Sequence, residues 1–221
     1  MPDQANEETM PRSGVSPAPP PDLSPDPKRQ AILRTARRSF VSVGYAATRI
    51  EPIAREAGIS TATLYALFDG KAALFSAVID DAAEDFARQM DSVRTIKGDA
   101  RQQLTSFAET YAGFMSDPFV RSVFRLVMAE RPRFQAVALR FFEKGQADFG
   151  ATLIAAIVAL SKSGALKPID KPSWAAGQLM GMLEHPVFFV PLVTGDEIRV
   201  RRPLAVVVED AVETFLARYG A

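Results

Sequence analysis

The chain has 221 residues, 48% of them hydrophobic and 24% charged, enough for one large globular domain or a small domain joined to a larger one. It contains no cysteine and a single histidine, His185. That excludes a disulfide framework and a thiolate metal site and removes the usual basis for a zinc centre, so no metal and no cofactor are expected. Net charge is zero, and the longest uncharged stretch, Phe149 to Ser161, is too short to cross a bilayer; with no apolar signal-peptide core near Met1, the expectation is a cytoplasmic protein without a membrane partner.

Residues 1–27 hold eight of the sixteen prolines and few large apolar side chains. Such a segment buries too little surface to offset the entropy of ordering and is expected to be a disordered tail.

From residue 28 the pattern changes. Ile32, Leu33, Ala36, Phe40 and Val43 recur at spacings of three and four and predict one amphipathic helix, which Gly44 can close in a left-handed cap. Thr48-Arg-Ile-Glu51 has the form of a capping box. Ile50, Ile53, Ala54 and Ala57 make a short second stripe, with Pro52 near its start; proline lacks a donor and is tolerated only in a first turn. Gly58-Ile59-Ser60 reads as a turn: a glycine for positive φ, an apolar plug, and an N-cap for the next helix. Leu64 and Phe68 then face inward, leaving Thr61, Ala62, Thr63, Tyr65 and Ala66 outside. The whole reads as a helix followed by a helix-turn-helix, a motif whose second helix enters the DNA major groove.

The zero net charge is unevenly spread. Residues 28–76 carry eight basic side chains (Lys28, Arg29, Arg34, Arg37, Arg38, Arg49, Arg55, Lys71) against three acidic ones, while residues 1–27 carry one basic and five acidic. A positive helix-turn-helix segment suits phosphate binding. Arginine is also a good helix former on a solvated face, so charge alone leaves both readings open.

Beyond residue 70 each long segment is helical in pattern. Leu74, Phe75, Val78, Ile79, Ala82, Phe86, Met90 and Val93 form one stripe, ended at Lys97-Gly-Asp99. Leu104, Phe107, Ala108, Tyr111 and Met115 form the next, followed by Phe119 to Glu130. Phe134 to Leu160 is one long helix or a pair, with Gly145 and Gly150 as candidate bends; Trp174 to Leu183 is another helix, His185-Pro186 a loop, and Leu204 to Tyr219 the last helix. No internal repeat is present. The predicted architecture is all-α: a helix-turn-helix head over 28–76 and a larger helical-bundle body for ligand binding and dimerisation over 77–221.

The body offers two candidate surfaces. Phe107, Tyr111, Phe114, Phe124, Met128, Phe142, Trp174 and Met180 are candidate pocket residues, with Phe141, Phe149, Phe188 and Phe189 beside them. Their number favours an apolar or aromatic ligand, although at helical spacing such residues are core more often than ligand contacts. Gly177 and Gly181 lie one turn apart and permit close backbone approach; with Val208, Val212 and Phe215 on the final helix they are the candidate dimer interface, tight packing within one subunit being the alternative.

The ordered set Ile32-Leu-Arg-Thr-Ala-Arg-Arg-Ser-Phe40, Gly44-Tyr-Ala-Ala-Thr48, Ile53-Ala-Arg-Glu-Ala-Gly-Ile-Ser60, Thr63-Leu-Tyr65 and Phe68-Asp-Gly-Lys71 followed by Leu74-Phe75 resembles the tetracycline-repressor (TetR) family of bacterial regulators. More loosely, Glu130-Arg-Pro-Arg-Phe134, Phe141-Phe-Glu143 and Ala211 to Tyr219 resemble the regulatory domain of multidrug-efflux repressors in that family. The resemblance implies a homodimeric repressor on a palindromic operator of double-stranded DNA, released by a small-molecule effector. It also implies that Thr48 and Arg49 meet the DNA backbone, that Thr61, Ala62, Thr63 and Ala66 lie at base edges, that Tyr65 and Lys71 reach phosphates, and that Ser60, the N-cap, belongs to the same DNA-binding set. Many relatives carry a basic residue at the position of Thr61, a histidine or similar group at that of Ala66, and a tyrosine at that of Leu67. This recognition helix therefore has no long side chain aimed at guanine, and readout is expected to rest on methyl contacts and DNA shape, with Arg49 as the direct reader.

The alternative is a DNA-binding regulator of the same fold that answers to a protein partner or to no effector. An enzyme is not expected: the sequence has no Gly-rich phosphate loop and no paired acidic motif with metal spacing.

Overall fold

The computed structural model describes residues 26–89, 98–198 and 202–221; most of the Pro-rich segment (1–25) and the expected stripe positions Met90 and Val93 lie outside them. The described residues are helical nearly throughout, with one isolated bridge between Leu166 and Gly220. Among them no single helix is long and apolar enough to cross a membrane.

The first helix, α1, runs from Pro27 to Ala47. Asp26 caps it, its carboxylate accepting from the Lys28 N–H at 2.9 Å, and Pro27 stands where no N–H is needed. The last residue of the expected tail, Pro27, thus belongs to this helix, and the one before it is its cap. Ile32, Leu33, Ala36 and Phe40 are fully buried, but Val43 points to solvent, so the inward stripe is one residue shorter than its pattern. Gly44, at φ +78°, breaks the helix, and Tyr45 turns back into the core.

The expected capping box at Thr48 and Glu51 does not form. Thr48 Oγ1 donates instead to the Gly44 carbonyl, left free by the break, at 2.7 Å, and α2 (Ile50–Glu56) is entered through Arg49 with no side-chain cap. Pro52 is its third residue, within the turn whose N–H groups have no helical acceptor, so it distorts nothing. Gly58 takes φ +72°, Ile59 packs on the core, and Ser60 Oγ accepts from the Thr63 N–H at 3.0 Å, starting α3 (Thr61–Leu67).

The next helix, α4 (Gly70–Gln89), passes through residues 76 and 77 without a break. It packs on α1 and on α7 (Gln135–Gly145). Ion pairs fasten it to α1: Arg37 meets Asp81 in a buried pair and Asp85 in a partly exposed one. Across α4 and α7, Arg140 meets Asp80 at 3.1 Å.

The body contains α5 (Ala100–Met115), opened by a capping box between Asp99 and Gln102, and α6 (Pro118–Glu130), capped by Asp117. Next come α7 (Gln135–Gly145) and α8 (Ala151–Lys162), joined through one π-helical turn, Gln146–Gly150, into a single rod. Likewise α9 (Pro172–Glu184) continues through a π turn, His185–Phe189, into α10 (Val190–Thr194). His185 therefore lies in a helix and not in a loop. Pro186 and Pro191 bring no N–H, and the Val187 carbonyl is approached by Arg121 Nη1 at 3.3 Å. The final helix, α11 (Leu204–Tyr219), packs on α5 and α9.

An aromatic cluster joins head and body. Phe134, in the α6–α7 turn, lies 4.9 Å from Tyr45 and 4.6 Å from Phe75, centroid to centroid, and Phe40 lies 5.3 Å from Phe75. Arg133 sits over the Tyr45 ring at 5.1 Å.

Candidate nucleic-acid interface and effector cavity

The α3 helix buries Leu64 alone, with Phe68 buried just beyond it. Thr61, Ala62, Thr63, Tyr65, Ala66 and Leu67 are all exposed, because a seven-residue helix docked by one turn leaves the rest of its circumference in solvent. The outward set is the one expected, enlarged by Leu67. Ser60 and Thr63 are already bonded to each other, Oγ to Oγ1 at 2.8 Å; their hydroxyls define the start of α3, and the Thr63 methyl remains for contact.

Arg49 is exposed and has no hydrogen-bond or ion-pair partner among the described residues, so its guanidinium is available. Thr48 is not: its side chain is 3% exposed and its hydroxyl is committed to Gly44. The expectation that Thr48 meets the DNA backbone is therefore corrected for its hydroxyl, which is not free to do so. Lys71 is half-buried, with Nζ at 2.7 Å from the Thr48 carbonyl and 3.0 Å from the Ala46 carbonyl, above the Tyr45 ring. Two of its three donors tie α4 to the end of α1, leaving one for an outside acceptor.

The basic surplus also shrinks in structure. Arg37 faces α4 and is neutralised by Asp81 and Asp85, and Arg38 pairs with Glu56 at 2.6 Å. Of the remaining cations Lys28, Arg29, Arg34, Arg49 and Arg55 are exposed. Arg29 stacks over the Phe68 ring at 5.2 Å.

The body encloses a cavity of about 240 Å³ between α4, α5, α6, the α7–α8 rod and α9. Eight aromatic side chains line it: Phe86, Tyr111, Phe114, Phe124, Phe141, Phe142, Phe149 and Phe188. Both π turns border it. The first supplies Gln146, Asp148 and Phe149, and the second supplies Phe188, one turn after Glu184. An inserted residue rotates the following helical face, a device common at functional sites. Of the expected pocket residues, Tyr111, Phe114, Phe124, Phe142 and Met180 line the cavity. Phe107 does not; it is buried behind Tyr111, ring to ring at 5.6 Å. Met128, 58% exposed, lies in an outer apolar groove between α6 and α7, and Trp174, 68% exposed, stands on the outer surface of α9.

Beside the expected Tyr111, the cavity has polar groups outside the expected set: Gln146, Asp148 and Glu184. Glu184 accepts a hydrogen bond from the Tyr111 hydroxyl. Burial raises the Glu184 pKa above the usual carboxylate range, the Tyr111 bond opposing it, and burial next to this carboxylate pushes the Tyr111 phenol far up, so Tyr111 remains a donor. Asp148 pairs with Lys144 at 3.4 Å. The sequence did carry a signal for Glu184: it is the one formally charged residue between Lys171 and Asp196.

The expected interface set divides. Gly177 and Gly181 are exposed, with open space where a Cβ would stand. Val208, Val212 and Phe215 are 2%, 1% and 1% exposed within the subunit, packed in the core where α11 meets α5 and α9, so they are not available to a partner. Among the described residues no group of three His, Cys, Asp or Glu side chains forms a metal site.

Comparison with known proteins agrees with this architecture. Residues 32–78 match the N-terminal model of bacterial regulatory proteins of the tetR family, and residues 102–221 match the C-terminal domain of AefR-like transcriptional repressors. Among solved structures, a TetR-family transcriptional regulator from Mesorhizobium loti is 28% identical, with TM-score 0.77 over 88% of this chain and 97% of that one. One from Pseudomonas syringae is 27% identical, with TM-score 0.63 over 88% and 98%. The flavonoid-responsive regulator FrrA is 25% identical, with TM-score 0.65 over 87% and 97%. No curated protein matches. Helix-turn-helix head, helical body and both family matches agree: the chain belongs to the TetR family of transcriptional regulators, with a C-terminal domain of the AefR-like type.

Proposed function

We propose that this protein is a ligand-responsive repressor that binds a palindromic operator as a homodimer and is released when a small aromatic or apolar effector enters the cavity. The observation that carries the reading is the course of α4. Its Lys71 and Phe75 hold the head, and its Ala83 and Phe86 form part of the cavity wall. A ligand that displaces this helix changes the angle of the head, and only differential contacts with the two states can supply that energy. FrrA is flavonoid-responsive by name, which supports a planar aromatic effector. A regulator without an effector, or one answering to a protein partner, has no use for an aromatic cavity.

Dimerisation is assigned to the outer face of the continuous α9–α10 helix. Trp174, Phe189 and Val193 are exposed there at 68%, 53% and 69%, and Gly177 and Gly181 permit close helix approach. Two heads held at fixed separation match two half-sites about one DNA turn apart.

The test is a nuclease footprint on DNA upstream of the protein's own gene, with and without a panel of aromatic compounds. Protection of an inverted repeat, lifted by a compound that binds the protein, supports the reading; protection that no cavity-binding compound alters refutes the effector half.

A further inference from the structure

Glu184 stands in the cavity wall, and among the described residues no cation pairs with it. Among the described residues its partner is the neutral Tyr111 hydroxyl, and none of the cavity-lining side chains is Lys, Arg or His. The second carboxylate, Asp148, has Lys144. Glu184 is half-buried; a carboxylate withdrawn from water is costly unless it is paired and hydrogen-bonded, and an ionised carboxylate accepts about four hydrogen bonds, of which Tyr111 supplies one. Glu184 lies one helical turn from both Met180 and Phe188 on the cavity-facing side of α9. From Tyr111 the rings run on through Phe149 (5.4 Å), Phe114 (5.1 Å) and Phe86 (4.7 Å). Aromatic faces attract cations, and more strongly where water is excluded.

We propose that the effector is a lipophilic cation: an aromatic body seated against these rings, carrying a protonated amine that donates to Glu184. This rests on the cavity being the effector site. The same arrangement repels anions, since an incoming carboxylate would meet Glu184 in an apolar surround with no compensating base.

Three probes of one shape separate the possibilities: 2-naphthylmethylamine, 2-naphthylmethanol and 2-naphthoate, titrated calorimetrically at neutral pH into the full chain and into Glu184→Gln. The substitution keeps shape and the acceptor for Tyr111. The expected result is an amine affinity about tenfold or more above that of the alcohol, naphthoate weakest, and loss of the amine preference in Glu184→Gln. Retained helix content by circular dichroism shows that the variant is folded. Equal affinity for amine and alcohol, tightest binding of naphthoate, or an amine preference that survives in Glu184→Gln overturns the cation assignment while leaving the cavity as a ligand site. Binding of none of the three overturns the cavity reading and this inference with it.

Discussion

The ring of Phe134 lies 4.6 Å from that of Phe75, tilted at 33°, so the α6–α7 turn of the body is wedged against the helix that leaves the DNA-binding head. Tyr45 closes the contact from the end of α1 at 4.9 Å. Any movement of α6 and α7 around the cavity therefore reaches the head through an aromatic contact.

Phe134→Ala should leave operator affinity within about threefold of wild type but sharply reduce the effector's power to release DNA. It should cost about 2 kcal/mol of stability, below the range for a fully buried Phe because Phe134 is half-buried. Anisotropy of labelled operator with and without effector, alongside a denaturant melt, checks both.

Arg49→Ala should weaken DNA binding across all sequences and lower the slope of log affinity against log salt by about one, with no loss of stability, since Arg49 has no partner in the fold among the described residues. Lys71→Ala should weaken DNA binding and also destabilise the head, because it removes the bonds to the Thr48 and Ala46 carbonyls. A pure phosphate contact would show no change in the melt.

Asp196 joins Arg121 and Arg125 at the end of α10. Burial by itself would raise its pKa, but hydrogen bonds from Arg125 and Arg121 outweigh that and hold it below the usual value. A carboxyl with a depressed folded pKa adds stability that is present above its unfolded pKa of about 3.9 and lost as pH falls through the folded value. Asp196→Asn keeps a residue that tolerates the positive φ of this site and should lose about 2 kcal/mol at neutral pH, leaving Arg121 buried and less compensated. The gap to wild type should close in melts taken progressively below pH 4.

On the outer face of α9 and α10, Val193→Glu and Phe189→Glu should each weaken self-association by about thirtyfold or more without lowering helix content. Light scattering on a concentration series reads this directly. Unchanged association would place the interface elsewhere.

Most of the head was legible in the sequence because its signals are local: Gly58 and Ser60 specify a turn by backbone conformation and capping, and Leu64 and Phe68 lie one turn apart. Thr48 misled because its hydroxyl had two uses, and the break at Gly44 decided between them. In the body, periodicity located buried stripes but not what buries them. Val208, Val212 and Phe215 have the pattern of an interface and turn into their own subunit, whereas Trp174 and Met128, large and apolar, stand outside. The π turns left no mark on apolar spacing, although Pro186 signals the backbone irregularity at the second. Glu184 was passed over because aromatic residues outnumber it, and its meaning depends on Tyr111, seventy-three positions away.

The central claim is sequence-specific DNA recognition by α3. Its most direct test is a salt-titrated anisotropy measurement comparing the footprinted operator with a scrambled duplex of equal length. The expected result is an operator affinity about a thousandfold or more above that for scrambled DNA at physiological salt, declining steeply with salt. Equal affinity for both duplexes across the titration would contradict it.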